Sequence, residues 1–98
     1  MKYEIPLESV PNQELSTALN DHDVDIVLAT AYGLLLMNIT IDGVLACAGV
    51  KCIGGVSLLP SDTETLLGGR LYFETLAGAY PSMDNIGTDD CKLIFEVK

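Results

Sequence analysis

Few residues in this sequence have the types and spacing that chemistry requires. Asp21, Asp23 and Asp25 form a D-x-D-x-D run, the opening of a calcium loop. An EF-hand loop then needs glycine at position six for its sharp turn and glutamate at position twelve as bidentate ligand, but Ile26 and Tyr32 stand there. A solvated acidic turn is the better reading. His22, the single histidine, lies in the same stretch, so any Ser–His or Cys–His nucleophile would have to use it. Cys47 and Cys52 are spaced C-x4-C, looser than a C-x2-C zinc knuckle, and with Cys91 they read as small buried hydrophobes. Gly49-Val50-Lys51-Cys52-Ile53-Gly54-Gly55 has P-loop-like glycine spacing without the Lys-Ser/Thr that gives that loop its use. Gly55-Val56-Ser57-Leu58-Leu59 lacks the second glycine of a nucleophile elbow. The expectation is a protein with no catalytic residue, no metal site and no cofactor.

Composition narrows the classes further. The chain has 98 residues, 49% of them hydrophobic, and a mean hydropathy of +0.36, which suits a single folded domain rather than a disordered chain. Fourteen acidic residues against five basic give a net charge of −9, which disfavours binding to polyphosphate. Lys2, Lys51, Arg70, Lys92 and Lys98 are scattered, and Tyr72, Phe73 and Phe95 have core roles, so the basic, aromatic groove of a single-strand binder is missing. The longest uncharged run, Ile26 to Ile41, is sixteen residues broken by Thr30, Tyr32-Gly33, Asn38 and Thr40, whereas a spanning helix needs about 20 apolar residues. No apolar stretch follows Lys2, so no signal peptide is expected. An odd cysteine count cannot pair completely within the chain.

The elements that must position these residues are short β-type runs separated by turn signals. Glu14 to Leu19 alternates, with Leu15, Thr17 and Leu19 on one face; Val24 to Thr30 resumes with Val24, Ile26 and Leu28 inward; Leu34 to Ile41 is a third strand. Asn20-Asp21-His22-Asp23 and Ala31-Tyr32-Gly33 connect them. Asp42-Gly43 between apolar runs predicts a type I′ hairpin joining Met37–Ile41 to Val44–Ala48. Glycines from 49 to 55 predict a bend or bulge, and Pro60 ends that region. Ser61-Asp62-Thr63-Glu64 fits a capping box, with Gly68 as C-cap, for at most one short helical turn. Arg70 to Thr75 forms a strand with Tyr72 opposite Leu71 and Phe73, a polar loop runs from Ala77 to Asp90, and Lys92 to Val97 closes the chain. Five or six strands in this length predict a small OB-like β-barrel spanning 1–98, preceded by an extended arm at 1–13 without a strand of its own.

Several segments, in order, resemble a known family. Ile5-Pro6-Leu7, then Pro11-Asn12-Gln13, Gly68-Gly69-Arg70-Leu71-Tyr72-Phe73, and Gly87-Thr88 before the last strand are similar to the baseplate plug proteins of contractile-tailed phages. The chain departs from that pattern in having no tryptophan in the third strand, where Leu36 or Met37 stands. The resemblance implies an OB-like structural protein of the virion tail baseplate, assembled in the host cytoplasm at the distal end of the tail tube. Its implied partners are hub and spike or tail tube proteins, with homo-oligomerisation within the baseplate, no specific nucleic-acid binding and no membrane insertion. The rival class is an OB-like binding module for a small ligand or single-stranded nucleic acid.

Two segments carry the candidate interface. The arm holds Tyr3, Ile5, Leu7 and Val10, which a thin core leaves over, unless the arm serves to cover one barrel edge. The loop from Ala77 to Asp90 adds Tyr80 and Met83, unless that loop is a disordered surface segment.

Overall fold

The computed structural model describes residues 1–76 and 80–98, so the first part of the expected 77–90 loop, residues 77–79, lies outside the described residues. The chain is all-β apart from one short helix. Its order is β1(Lys2–Ile5), β2(Asn12–Leu19), β3(His22–Ala31), β4(Leu34–Ile41), β5(Val44–Lys51), α1(Ser61–Leu67), β6(Gly69–Thr75) and β7(Cys91–Val97). The seven strands form two antiparallel sheets, β2-β3-β4-β5 and β1-β7-β6. Five or six strands were expected; the seventh is β1.

The larger sheet is a meander dictated by local chemistry. Val24, Ile26 and Leu28 on β3 and Leu35, Met37, Ile39 and Ile41 on β4 are buried, so the apolar half of each strand lines one face. Three two-residue turns join the four strands. In each, both residues have positive φ: Asn20 and Asp21 at 48° and 66°, Tyr32 and Gly33 at 52° and 75°, Asp42 and Gly43 at 51° and 82°. That is the type I′ geometry whose twist matches the strands. Between β4 and β5 the register slips on either side of Ile39, and Gly49 N–H donates to Asn38 Oδ1 at 2.6 Å, giving the bulge expected of this glycine-rich region.

The arm corrects the expectation. It carries β1, which pairs with β7 from Lys2↔Glu96 to Ile5↔Leu93 and buries Ile5 in the core. Ile5 is thereby a core residue, not a surface one, and Leu7 is half-buried against the same core. The helix also differs in detail. It runs for seven residues, and its N-cap is Pro60, with no side-chain cap, so Ser61 is already helical and the capping box does not form. Glu64 instead reaches the Ser57 hydroxyl and Lys98 Nζ. Gly68 closes the helix in the left-handed conformation as expected, and Asn20 Nδ2 donates to the Leu67 carbonyl at 2.9 Å.

The two sheets enclose one apolar core, and among the described residues their strands do not close into a barrel. On one side the segment after β5 is laid along β6: Gly55 N–H donates to the Phe73 carbonyl and Leu58 N–H to the Leu71 carbonyl, each at 2.8 Å. Gly54 is required there, because a Cβ would lie 2.6 Å from Thr75 Oγ1. On the other side β1 and β2 have no strand pairing among the described residues, which leaves an open seam. On the outer face of the smaller sheet Tyr72 departs from simple alternation. It is buried there because the Arg70 guanidinium stacks 4.7 Å from its ring centroid.

Gly43→Val should destabilise the fold by about 1–3 kcal/mol, seen as a lower urea midpoint. A Cβ at this position meets nothing within 4 Å, so the whole effect would come from φ of 82° rather than from a clash.

Candidate interaction surface

The chemistry-bearing residues do not converge on a reaction centre. His22 Nδ1 meets Asp42 Oδ2 at 2.6 Å, and the other Asp42 oxygen accepts from Asp23 N–H at 2.9 Å. Asp42 therefore ties two neighbouring turns together, and these bonds, the His22 one foremost, hold its carboxyl below the usual range. Asp25 accepts from the Ser16 hydroxyl at 2.5 Å. Among the described residues no three His, Cys, Asp or Glu side chains are grouped to hold a metal ion, and no buried residue is polar or charged. Cys47, Cys52 and Cys91 are free and buried.

Exposed apolar side chains are spread over the surface, and four of them, Tyr32, Leu34, Tyr80 and Met83, fall at the end formed by the β3–β4 turn and the loop facing it. Tyr32, at the tip of the β3–β4 turn, is fully exposed and sits in the left-handed region, which disfavours a bulky side chain. Leu34 follows it, exposed. Facing this turn is the chain from Tyr80 to Asp84. Two adjoining hollows of about 270 and 280 Å³ share Gly33, Leu35 and Ser82, and are walled by Leu34 and Tyr80 in one and Met83 in the other. The start of β2 reaches the same end, where Pro11 C=O accepts from the Thr30 hydroxyl at 2.8 Å, which brings half-buried Val10 beside it.

The described part of the 80–90 loop is built rather than loose. Asn85 Oδ1 accepts from Ser82 N–H at 2.9 Å and Asn85 Nδ2 donates to the Tyr80 carbonyl at 2.8 Å. Ile86 is fully buried, and its carbonyl accepts from the Ser9 hydroxyl at 2.9 Å. Pro81 is buried while Tyr80 keeps 72% of its surface exposed. Of the six residues proposed from sequence, Tyr80 and Met83 line the adjoining hollows at this end, while Val10 precedes the Pro11 that bonds Thr30. Tyr3 lies apart on β1, half-exposed, while Ile5 and Leu7 pack inward. Tyr32 and Leu34 were missed. Tyr32 was legible only as a tyrosine before glycine where a two-residue turn favours asparagine or aspartate.

Tyr32→Asn should leave the isolated protein as stable, or up to about 1 kcal/mol more stable in urea melts, because asparagine tolerates the left-handed backbone and no buried contact is lost. A loss above about 1 kcal/mol would mean that Tyr32 supports the fold. Burial pushes the Cys52 thiol up to about 12, with Cys91 adding to it, and the Cys91 thiol to about 11; Cys47 is raised as well, chiefly by burial. The unfolded chain ionises its thiols from about pH 8.5, so the thiol contribution to stability should be constant below that and fall as pH rises through 9 toward 11. Melts of Cys52→Ala and Cys91→Ala should show a shallower fall. A thiol reagent at pH 8 should leave the native cysteines unmodified and react only upon unfolding.

A search of curated proteins returns no match to the chain. The family model for the cyanophage baseplate Pam3 plug gp18 matches residues 2–98, from the first residue of β1 past the last of β7. An all-β chain matched by that model over nearly its whole length belongs to that family of phage tail-baseplate plug proteins.

Proposed function

We propose that this protein is a structural plug of a contractile tail baseplate, held at the distal end of the tail tube by hub and spike or tube subunits, and that it acts through protein contacts without catalysis. The observation that carries this reading is Tyr32. A fully exposed tyrosine in a left-handed turn gains the isolated fold nothing, and strain of this kind is kept where it serves contact. Tyrosine is also among the residues that dominate interface energetics. Tyr80 and Met83, held by the Asn85-centred loop, extend the same surface. Several copies around the tube axis would present this end repeatedly. A net charge of −9 would keep a lumen-facing plug from retaining DNA in transit.

Co-expression with the hub and spike proteins of a phage that encodes this chain, followed by pull-down, tests the reading. The full chain should co-purify with at least one of them, and Tyr32→Asn combined with Tyr80→Ala should reduce recovery at least tenfold while leaving the urea midpoint in place. Failure of the unmodified chain to associate with any tail component would overturn it. Saturable micromolar binding of single-stranded DNA at about 150 mM salt would favour the rival, an OB-like binding module.

A further inference from the structure

The seam between β1 and β2 is a groove of about 510 Å³ with two unpaired strand edges as its walls. On β1, Val97 N–H donates to the Met1 carbonyl at 2.9 Å. Antiparallel alternation then turns the backbone groups of Tyr3 and Ile5 toward β7 and those of Lys2 and Glu4 away from it, to the open side. On β2, the two-residue Asn20-Asp21 turn makes Leu19–His22 the hydrogen-bonded pair that closes the hairpin. Ala18 and Ser16 therefore turn their N–H and C=O groups away from β3. Among the described residues no backbone hydrogen bond crosses from one edge to the other. Buried Leu19 and Phe95 line the groove. Its charged lining residues are Glu4 and Asp21, both acidic and neither in an ion pair among the described residues.

We propose that this seam takes up an extended segment of another protein, one that alternates basic and apolar side chains. The free edges supply main-chain hydrogen bonds, as in strand addition to any open sheet. Side chains of the added strand point alternately to the two faces, so the apolar set covers Leu19 and Phe95 while the basic set reaches Glu4 and Asp21. A second copy of this chain does not fit. It would bring a net charge of −9 and the same two carboxylates against their own counterparts. This surface is separate from the Tyr32 end, and its test needs no baseplate protein.

The probe is the capped hexapeptide Lys-Val-Lys-Val-Lys-Val, titrated into the isolated protein and followed by amide NMR, with the Glu-Val counterpart as control. Saturable shifts should appear at Lys2, Glu4, Ser16 and Ala18, with amide exchange at those positions slowed at least tenfold at saturation. The glutamate peptide should leave them unchanged. The double variant Glu4→Gln and Asp21→Asn, which keeps a residue tolerant of positive φ in the turn, should bind at least tenfold more weakly. Ala18→Pro, which removes an N–H that β3 does not use, should abolish binding; if that variant does not fold, the double variant decides alone. Absence of saturable binding, shifts centred on Asp23 and Asp25 instead of the seam, equal binding by the double variant, or dimerisation through this edge in sedimentation would each overturn the proposal.

Discussion

Phe73 and Phe95, both fully buried, belong to the smaller sheet, while Ile26, Leu28, Met37 and Ile39 belong to the larger one, and all six lie in a single apolar core. A sheet with one apolar face is stable only when that face is covered, and here each sheet is the other's cover. With no polar residue buried among the described residues, cohesion rests on burial and close packing, and emptying either phenylalanine site is a change of about 3–5 kcal/mol. The turns, the bulge at Gly49 and the segment laid along β6 serve to bring these two faces together.

That mutual cover explains which features were legible in the sequence. The meander was readable because alternation in β3 and β4 and the Asp42-Gly43 turn are local signals, each spelled within a few residues. β1 was not. Lys2-Tyr3-Glu4-Ile5 is short, charged and followed by Pro6, and what makes it a strand is β7, at the opposite end of the sequence. The burial of Tyr72 was hidden for a similar reason, since alternation assigns it correctly to the outer face but cannot show Arg70 folding over its ring. The capping box failed by one residue because Pro60, with φ already fixed, occupies the N-cap and Ser61 enters the helix. The ordered loop after Tyr80 depends on Asn85 bonding two backbone groups, and nothing in an Asn among polar neighbours announces that geometry.

The candidate surface was half legible. Tyr80 and Met83 stood out as apolar residues in a polar stretch, and the fold sets them opposite a turn that the sequence presents as a mere connection. What makes Tyr32 informative is its backbone rather than its chemistry. It is a fully exposed side chain held where asparagine would be more comfortable, which is why the proposed contact rests on it. The arm, in turn, covers the edge of the smaller sheet with β1, and only half-exposed Tyr3 among its apolar side chains remains on that strand's surface.

The pairing of β1 with β7 also fixes an order of events during synthesis. Eighty-five residues separate the two strands, so at about 5–20 residues per second β1 waits roughly 4–17 s for its partner to be made. The meander, whose contacts are between neighbours in sequence, is free to form within that interval, whereas β1 must close a loop of nearly the whole chain. A segment kept waiting is exposed to the edges of other nascent copies. Lys2 and Glu4 on one face and Pro6 at its end are features that make such a strand a poor partner for the edges of other copies of this chain. Until β7 is made, the apolar side of Ile5 has no strand partner, so the span of synthesis before that point is the time in which β1 is open to a protease.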